Sequence, residues 1–469
     1  MEAFEWEGVF WCPSMPERTV VGQLTYKPPD GTLLKVFGSL VDLGETLAPQ
    51  VEPIRIVGVA GGRELTLHGC YHRQTHIQMP GIEVHNYKVL QVLSGAHFDS
   101  EDFEFDEVAV SFDQLASWVD KSGFSIDFDR ETPDKLSTAT QIRLRYDIIP
   151  AEVVTIDETQ VELTYTWSVE EDRLAAMQIG QRAHLKIKYP ELRSLSDILS
   201  DLNGLQDLIT LATDAPSVPT EIKLWRPDVV HDGEPGSPTQ RAIDLYVENA
   251  AVHVAVEPRS LHQMFFPYEQ LGGLSVVARW IAVSRKYRPV LGALLTIRYS
   301  ARIYVENRYL NVMSAAETFH RMRFANEVMS KVEYKALRRK IVKSIKSILG
   351  SKIGNWLHEQ LIYANEPRLR ARLLELANYA GEAFSWLVGD TAKWARIVTR
   401  ARNRMTHHDQ QQDVGASYTD MYVLADSVYV LVMLCLLREC DPSTDALLRI
   451  RDTQRIIRLR QQLGTIVDR

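Results

Sequence analysis

Cysteine is scarce in this chain: four residues in 469, at positions 12, 70, 435 and 440, with no C-x-x-C spacing among them. That excludes a disulfide framework, a zinc ribbon and a thioredoxin-type redox pair, and leaves reduced thiols as the expectation. Basic residues are absent from the first eleven positions, which carry Glu2, Glu5 and Glu7. A secretory leader needs a positive start, so a cytoplasmic protein is expected. Nor is there an uninterrupted apolar run of the ~20 residues that cross a bilayer. The longest, residues 421–437, contains Asp426 and Ser427 and reads as a buried helix, with no membrane partner. Missing too are H-E-x-x-H, paired aspartates and a phosphate loop, for no helix signal follows Gly58, Gly61 and Gly62. Neither a metal nor another cofactor is expected.

What is present is an ordinary soluble composition, 45% hydrophobic and 24% charged, long enough for two or three domains of about 150 residues. Charge is unevenly placed. Residues 301–469 hold 27 Lys and Arg against 18 Asp and Glu, whereas residues 1–300 hold 26 against 43. A basic half in an acidic protein suits contact with a polyanion, whose phosphates it would neutralise. A solvated face, or attraction between the two halves, accounts for it equally well.

From residue 20 to about 166 the pattern is short alternating runs broken by Gly, Pro and Asp, which predicts strands at 20–26, 33–38, 54–59, 64–68, 142–149 and 161–167. Residues 193–213 predict a helix capped by Ser196, with Ile198, Leu202, Leu205 and Ile209 on one face. Strands resume at 221–225 and 242–247, around a loop at 231–240. From about residue 302 the periodicity is helical, with stripes at 303–322, 332–348, 353–363, 369–388, 391–405, 417–438 and 444–462. The fold class is α+β multidomain: a β-rich domain over 1–270, a helical connection over 271–300 and an all-α bundle over 301–469. Trp280, Trp356, Trp386 and Trp394 are expected in the core.

Residues 399–412 read T-R-A-R-N-R-M-T-H-H-D-Q-Q-Q, crowding three arginines, an asparagine and two histidines at the end of one helix. At about 100° per residue, Asn403 and His407 lie roughly 40° apart, but Arg402 lies roughly 140° from His407. Cooperation of that pair requires either a loosened helix near 409–413 or a partner subunit's copy; the second is preferred. The chemistry suits RNA, whose 2'-hydroxyl attacks the adjacent phosphate once a base takes its proton and an acid protonates the leaving 5'-oxygen. Histidine, titrating near pH ~6.5, serves either role, and an arginine fork stabilises the extra charge on phosphorus.

This order, Arg402-Asn403 followed by His407, resembles the motif of HEPN ribonucleases, in which four to six residues stand between Arg and His and a polar residue follows the Arg. The remainder resembles the ApeA family of bacterial anti-phage proteins, which join a β-rich N-terminal domain to a C-terminal HEPN bundle. The likeness covers nearly the whole chain and includes R-E-L-T-L-H-G-C at 63–70, F-D-Q-L-A-S-W at 112–118 and A-A-E-T-F-H-R at 315–321. It implies metal-independent RNA cleavage leaving a 2',3'-cyclic phosphate, a homodimer or higher assembly through the HEPN domain, and a role in abortive infection set off by a phage-derived activator. It also implies RNA with exposed single-stranded loops, transfer RNA included, as target. Arg402, Asn403 and His407 are the catalytic candidates, with His408, Arg400 and Arg404 as accessories, since Arg400 to His407 and Arg402 to His408 also fit the spacing. The alternative is a non-catalytic bundle that dimerises or binds RNA beside a sensing N-terminal domain.

Lys335, Arg338, Arg339, Lys340 and Lys343 form the densest basic stretch and are candidates for RNA-backbone contact, or else a solvated helix face. Glu317 and His320 are expected to be structural. His68, Cys70, His72 and His76 share one parity on a strand, but ligands four residues apart stand about 13 Å apart, too far for one ion.

Overall fold

Alternation in the first half is realised as hydrogen-bonded ladders, and in the second half the stripes wind into helices. The structure, a computed structural model, describes residues 1–28, 30–40, 53–77, 80–98, 103–130, 139–172, 176–231, 239–249, 256–300, 302–407 and 417–467. Residues 232–238 of the expected loop lie outside it. Contacts divide the chain into two compact units, Met1–Ala282 and Val283–Arg469, meeting inside the stretch assigned above as a connection.

In the first unit, β1 (Phe4–Trp11), β2 (Val20–Lys27), β3 (Gly31–Phe37), β4 (Ile54–Ala60), β5 (Arg63–His76) and β6 (Val84–Ser94) close into a ring in the order β6-β3-β2-β1-β4-β5, because β5 pairs back onto β6. Closure removes the free edges that an open sheet would expose. Phe10, Leu24, Leu34, Val36, Leu67 and Val89 fill the interior. Gly61 and Gly62, with φ of 60° and 72°, make the tight turn from β4 to β5, a conformation in which two successive glycines carry no steric cost. They are a hairpin turn, not a phosphate cradle.

The far half of β6 pairs with β12 (Ile243–Val247), which leads through β11 (Pro219–Trp225), β7 (Glu104–Phe112), β10 (Ala176–Ser194) and β9 (Thr159–Asp172) to β8 (Glu152–Ile156). On this extension lies α1 (Leu195–Thr213), whose first turn is capped by Ser194, accepting from the Asp197 amide. Ser196 is therefore not the cap; it lies inside the helix, its hydroxyl 2.9 Å from that of Ser194. The shared parity of the β5 histidines is also lost. Gly69 takes φ of 65°, and the register against β6 shifts between His72 and Gln74. Cys70 is buried whereas His76 is exposed, and His72 bonds Thr75, which bonds the buried His85. All four cysteines are buried, and burial pushes the Cys70 and Cys435 thiols up.

The helix α2 (Leu274–Lys286) runs across the boundary between the units, and the second unit follows with α3 (Arg288–Tyr299) and α4 (Val305–Arg323), then α5 (Lys331–Leu349), α6 (Ser351–Gln360), α7 (Leu369–Ala380), α8 (Glu382–Val388), α9 (Thr391–His407), α10 (Tyr418–Glu439), α11 (Thr444–Arg449) and α12 (Gln454–Val467). The stripe read at 369–388 is two helices, because Gly381 adopts φ of 83°, and the stripe at 444–462 is broken by a short 3-10 turn at Ile450–Asp452. α10 is long and apolar enough to cross a bilayer, yet 83% of its most apolar window is buried inside the protein. It is the core helix. At its C-terminus Glu439 accepts hydrogen bonds from Tyr287, Tyr379 and Arg323; burial opposes its charge, and these bonds outweigh that and hold its carboxyl below the usual value.

α5 and α6 form an antiparallel hairpin. The Tyr334 hydroxyl donates to the Leu361 carbonyl, and Asn365 closes the base by bonding both the amide and the carbonyl of Met329. Within these two helices only Val342 and Gly354 are buried. Trp356 is consequently 59% exposed, contrary to the core expected for it, and Trp386 is half-buried beneath the Arg460 guanidinium at 4.0 Å. Trp280 and Trp394 are fully buried.

Asp426, in the middle of α10, is paired with Arg308 of α4 at 2.5 Å and with Arg455 of α12 at 3.1 Å. Arg308 and Asp426 are only 6% and 7% exposed. Removing one partner of such a pair strands the other charge, at a cost of about 3–5 kcal/mol. Asp426→Ala should therefore lower the urea midpoint of the helical unit by that equivalent; an unchanged midpoint would show that the pair carries no stability.

Candidate functional site

The motif helix α9 is built from its apolar side. Asp390 caps it by accepting from the Lys393 amide at 2.8 Å, and Trp394, Ala395, Val398 and Ala401 are buried at helical spacing. Two hydrogen bonds fasten this face to the core: Trp394 Nε1 to Ser427 Oγ of α10 at 2.9 Å, and the Tyr309 hydroxyl of α4 to the Val398 carbonyl at 2.8 Å. Phe384 meets the Trp394 ring edge-on at 4.9 Å.

The polar residues follow from that anchoring. With about 100° per residue, the buried face fixes where every other position points. Arg400, Asn403 and Arg404 are exposed, and Arg402 is half-buried on the flank of the apolar face. Position 407 stands roughly 40° from Asn403 and roughly 20° from Arg400, two turns earlier, around the helix axis. Position 402 stands roughly 140° away. α9 stays helical through His407, so the helix does not loosen before that residue. The side chains of Thr406 and His407, and His408 with the polar run 409–413, lie outside the described residues.

The basic candidates occupy another helix. Lys335, Arg339, Lys340 and Lys343 are exposed on α5, and Arg338 is half-buried. Lys335, Arg339 and Lys343 recur every fourth residue and so form one face. Their helix packs chiefly on α6, so they constitute a basic surface of their own. Glu317 and His320 have structural surroundings. His320 is fully buried, 2.8 Å from Glu375 and 3.3 Å from Arg372; burial drives its pKa down, with the Arg372 charge adding to the effect and the Glu375 hydrogen bond opposing it. Among the described residues no group of three or more His, Cys, Asp and Glu is arranged to hold a metal ion.

Sequence reasoning gave no role to Tyr309 and Ser427, which fasten the motif helix, or to the Arg308–Asp426 pair beside them. Their partners are remote in the chain, and the one available signal was Asp426 itself, a charge in the middle of an apolar run.

Chemically, this end of α9 presents cations and a hydrogen-bonding amide to solvent with its apolar side sealed, as anion contact requires. With Ala401 buried and Arg404 exposed, Ala401→Glu buries an unpaired charge and should destabilise the unit by on the order of 3 kcal/mol, whereas Arg404→Gln should change stability by less than about 0.5 kcal/mol. Thermal unfolding of the two variants measures the difference, and equal effects would reverse this assignment of faces.

Two family models match the sequence: one described as ApeA N-terminal domain 1, over residues 5–280, and one described as Apea-like HEPN, over residues 310–446. No curated protein and no solved structure matches it.

Proposed function

The chain belongs to the ApeA family, whose N-terminal model alone spans more than half of it, and from that premise we propose that its helical domain is a metal-independent HEPN endoribonuclease acting in the cytoplasm against phage infection. HEPN domains are generally ribonucleases that dimerise and bind RNA. The observation that carries the reading is the solvent face of α9, where Arg400, Asn403 and Arg404 are exposed beside position 407.

In the proposed reaction the His407 imidazole exchanges the proton of the 2'-hydroxyl or of the leaving 5'-oxygen, and the Arg402 guanidinium stabilises the charge gathering on phosphorus. Asn403 orients the substrate or the imidazole. Because positions 402 and 407 diverge around one helix, the arginine and histidine that meet at a phosphate come from two copies, and the active form is a homodimer or a higher assembly of such pairs. RNA with unpaired loops, transfer RNA included, is the substrate, and the N-terminal β-rich domain restrains the nuclease until a phage-derived activator arrives. Lys335, Arg338, Arg339, Lys340 and Lys343 contact RNA phosphates away from the cut.

Replacing His407 by Ala should abolish RNA cleavage and growth inhibition while leaving RNA binding and assembly intact. RNA cut by the intact protein should carry 5'-hydroxyl ends, formed equally well in EDTA. Cleavage by the His407→Ala protein, or strict dependence on added magnesium, would overturn the mechanism. Each phosphate contact contributes about −0.7 to the slope of log affinity against log salt for single strands. Charge reversal at Lys335, Lys340 and Lys343 should therefore flatten that slope by about two, and an unaltered slope would remove α5 from the RNA surface.

A further inference from the structure

Three tyrosines at the N-terminal ends of α4 and α10 are exposed although aromatic side chains gain most from burial. Tyr304, which precedes the first turn of α4, is 80% exposed; Tyr418 and Tyr422, on the first two turns of α10, are 71% and 45% exposed. Residues four apart lie about 40° apart around a helix, so Tyr418 and Tyr422 share a face. The Tyr422 ring lies 4.3 Å from the Arg308 guanidinium, which Asp426 holds in turn. The next residue, Tyr309, donates to the Val398 carbonyl of the motif helix, one turn before Arg402. The rings and the motif therefore share one neighbourhood. Exposed aromatic faces suit an unpaired nucleic-acid strand, whose bases stack on rings while cations elsewhere meet its phosphates; the buried Arg308, held by Asp426, backs the Tyr422 ring and is not one of those cations. The exposed Arg400 and Arg404, in a stretch, residues 301–469, with nine more basic than acidic residues, supply the complementary charge.

Building on the ribonuclease reading, we propose that Tyr418 and Tyr422, with Tyr304 beside them, form a stacking platform for the unpaired bases flanking the cleaved phosphate. Selection of single-stranded loops is then a property of these rings. A base within a duplex is already stacked on its neighbours and has no free face to offer, so duplex RNA gains nothing from the platform.

The test measures fluorescence anisotropy of a labelled, 2'-O-methylated single-stranded oligoribonucleotide, which cannot cleave itself, with the full-length chain. Tyr418→Ala and Tyr422→Ala should each weaken binding about tenfold or more, as loss of one stacked base does. Tyr418→Phe and Tyr422→Phe, which keep the ring, should stay within about twofold. The same sequence annealed to its complement should bind the parent and the alanine variants alike. Tyr422→Ala uncovers Arg308, so its melting curve is recorded alongside; if it does not fold, Tyr418→Ala and Tyr304→Ala carry the test. Undiminished binding by the alanine variants overturns the platform and leaves the ribonuclease reading standing. Failure of the parent to bind the single strand overturns that reading and the platform with it. Dissociation of dimers by the alanine substitutions, seen by analytical ultracentrifugation, would assign the rings to a second copy of the chain and reject the proposal.

Discussion

A carboxylate in an apolar helix governs the arrangement of the helical unit. An ionised group keeps its charge away from water only where opposite charges and hydrogen bonds replace the lost solvation. For Asp426 these come from Arg308 and Arg455, so α4, α10 and α12 must converge on one point. The residues next to this pair fasten the motif helix: Ser427 takes the Trp394 indole N–H, and Tyr309 reaches Val398. The N-terminal half of α9 is thus tied to the level of the buried ions, and its C-terminal half carries the arginines and Asn403 outward.

Local signals were legible in the sequence to the extent that they are local. The stripe over 421–437 announced α10, and the string from Arg400 to His407 announced the end of α9, because both are written within a few turns. Gly381 broke a stripe that periodicity alone read as continuous; its positive φ answers to the chain on either side, not to hydropathy. Trp356 was read as core since a tryptophan usually is, but its hairpin packs mainly on itself and leaves the ring in solvent. Closure of the barrel depends on β5 meeting β6 along with five other pairings, and the Arg308–Asp426 pair joins residues 118 apart. No window of sequence contains either. The tyrosines at the ends of α4 and α10 went unremarked for the same reason, as exposure follows from neighbours and not from residue type.

Placing the two proposed reacting groups on separate copies makes assembly a condition of chemistry. On that reading a monomer would carry every necessary side chain and still lack a site, so control over encounter between copies would be control over cleavage. Such restraint needs no plug in the groove.

The hairpin of α5 and α6 leaves and rejoins the bundle at one asparagine, whose side chain spans Met329 from both sides. The two ends of the excursion are therefore held together by the base and not by what lies beyond it. Closing a loop between fixed ends depends only weakly on its length, so the tip can be lengthened, shortened or recharged at small cost to the core. The helical unit thus carries an appendage that can tolerate change while the buried ions and the motif helix stay as they are.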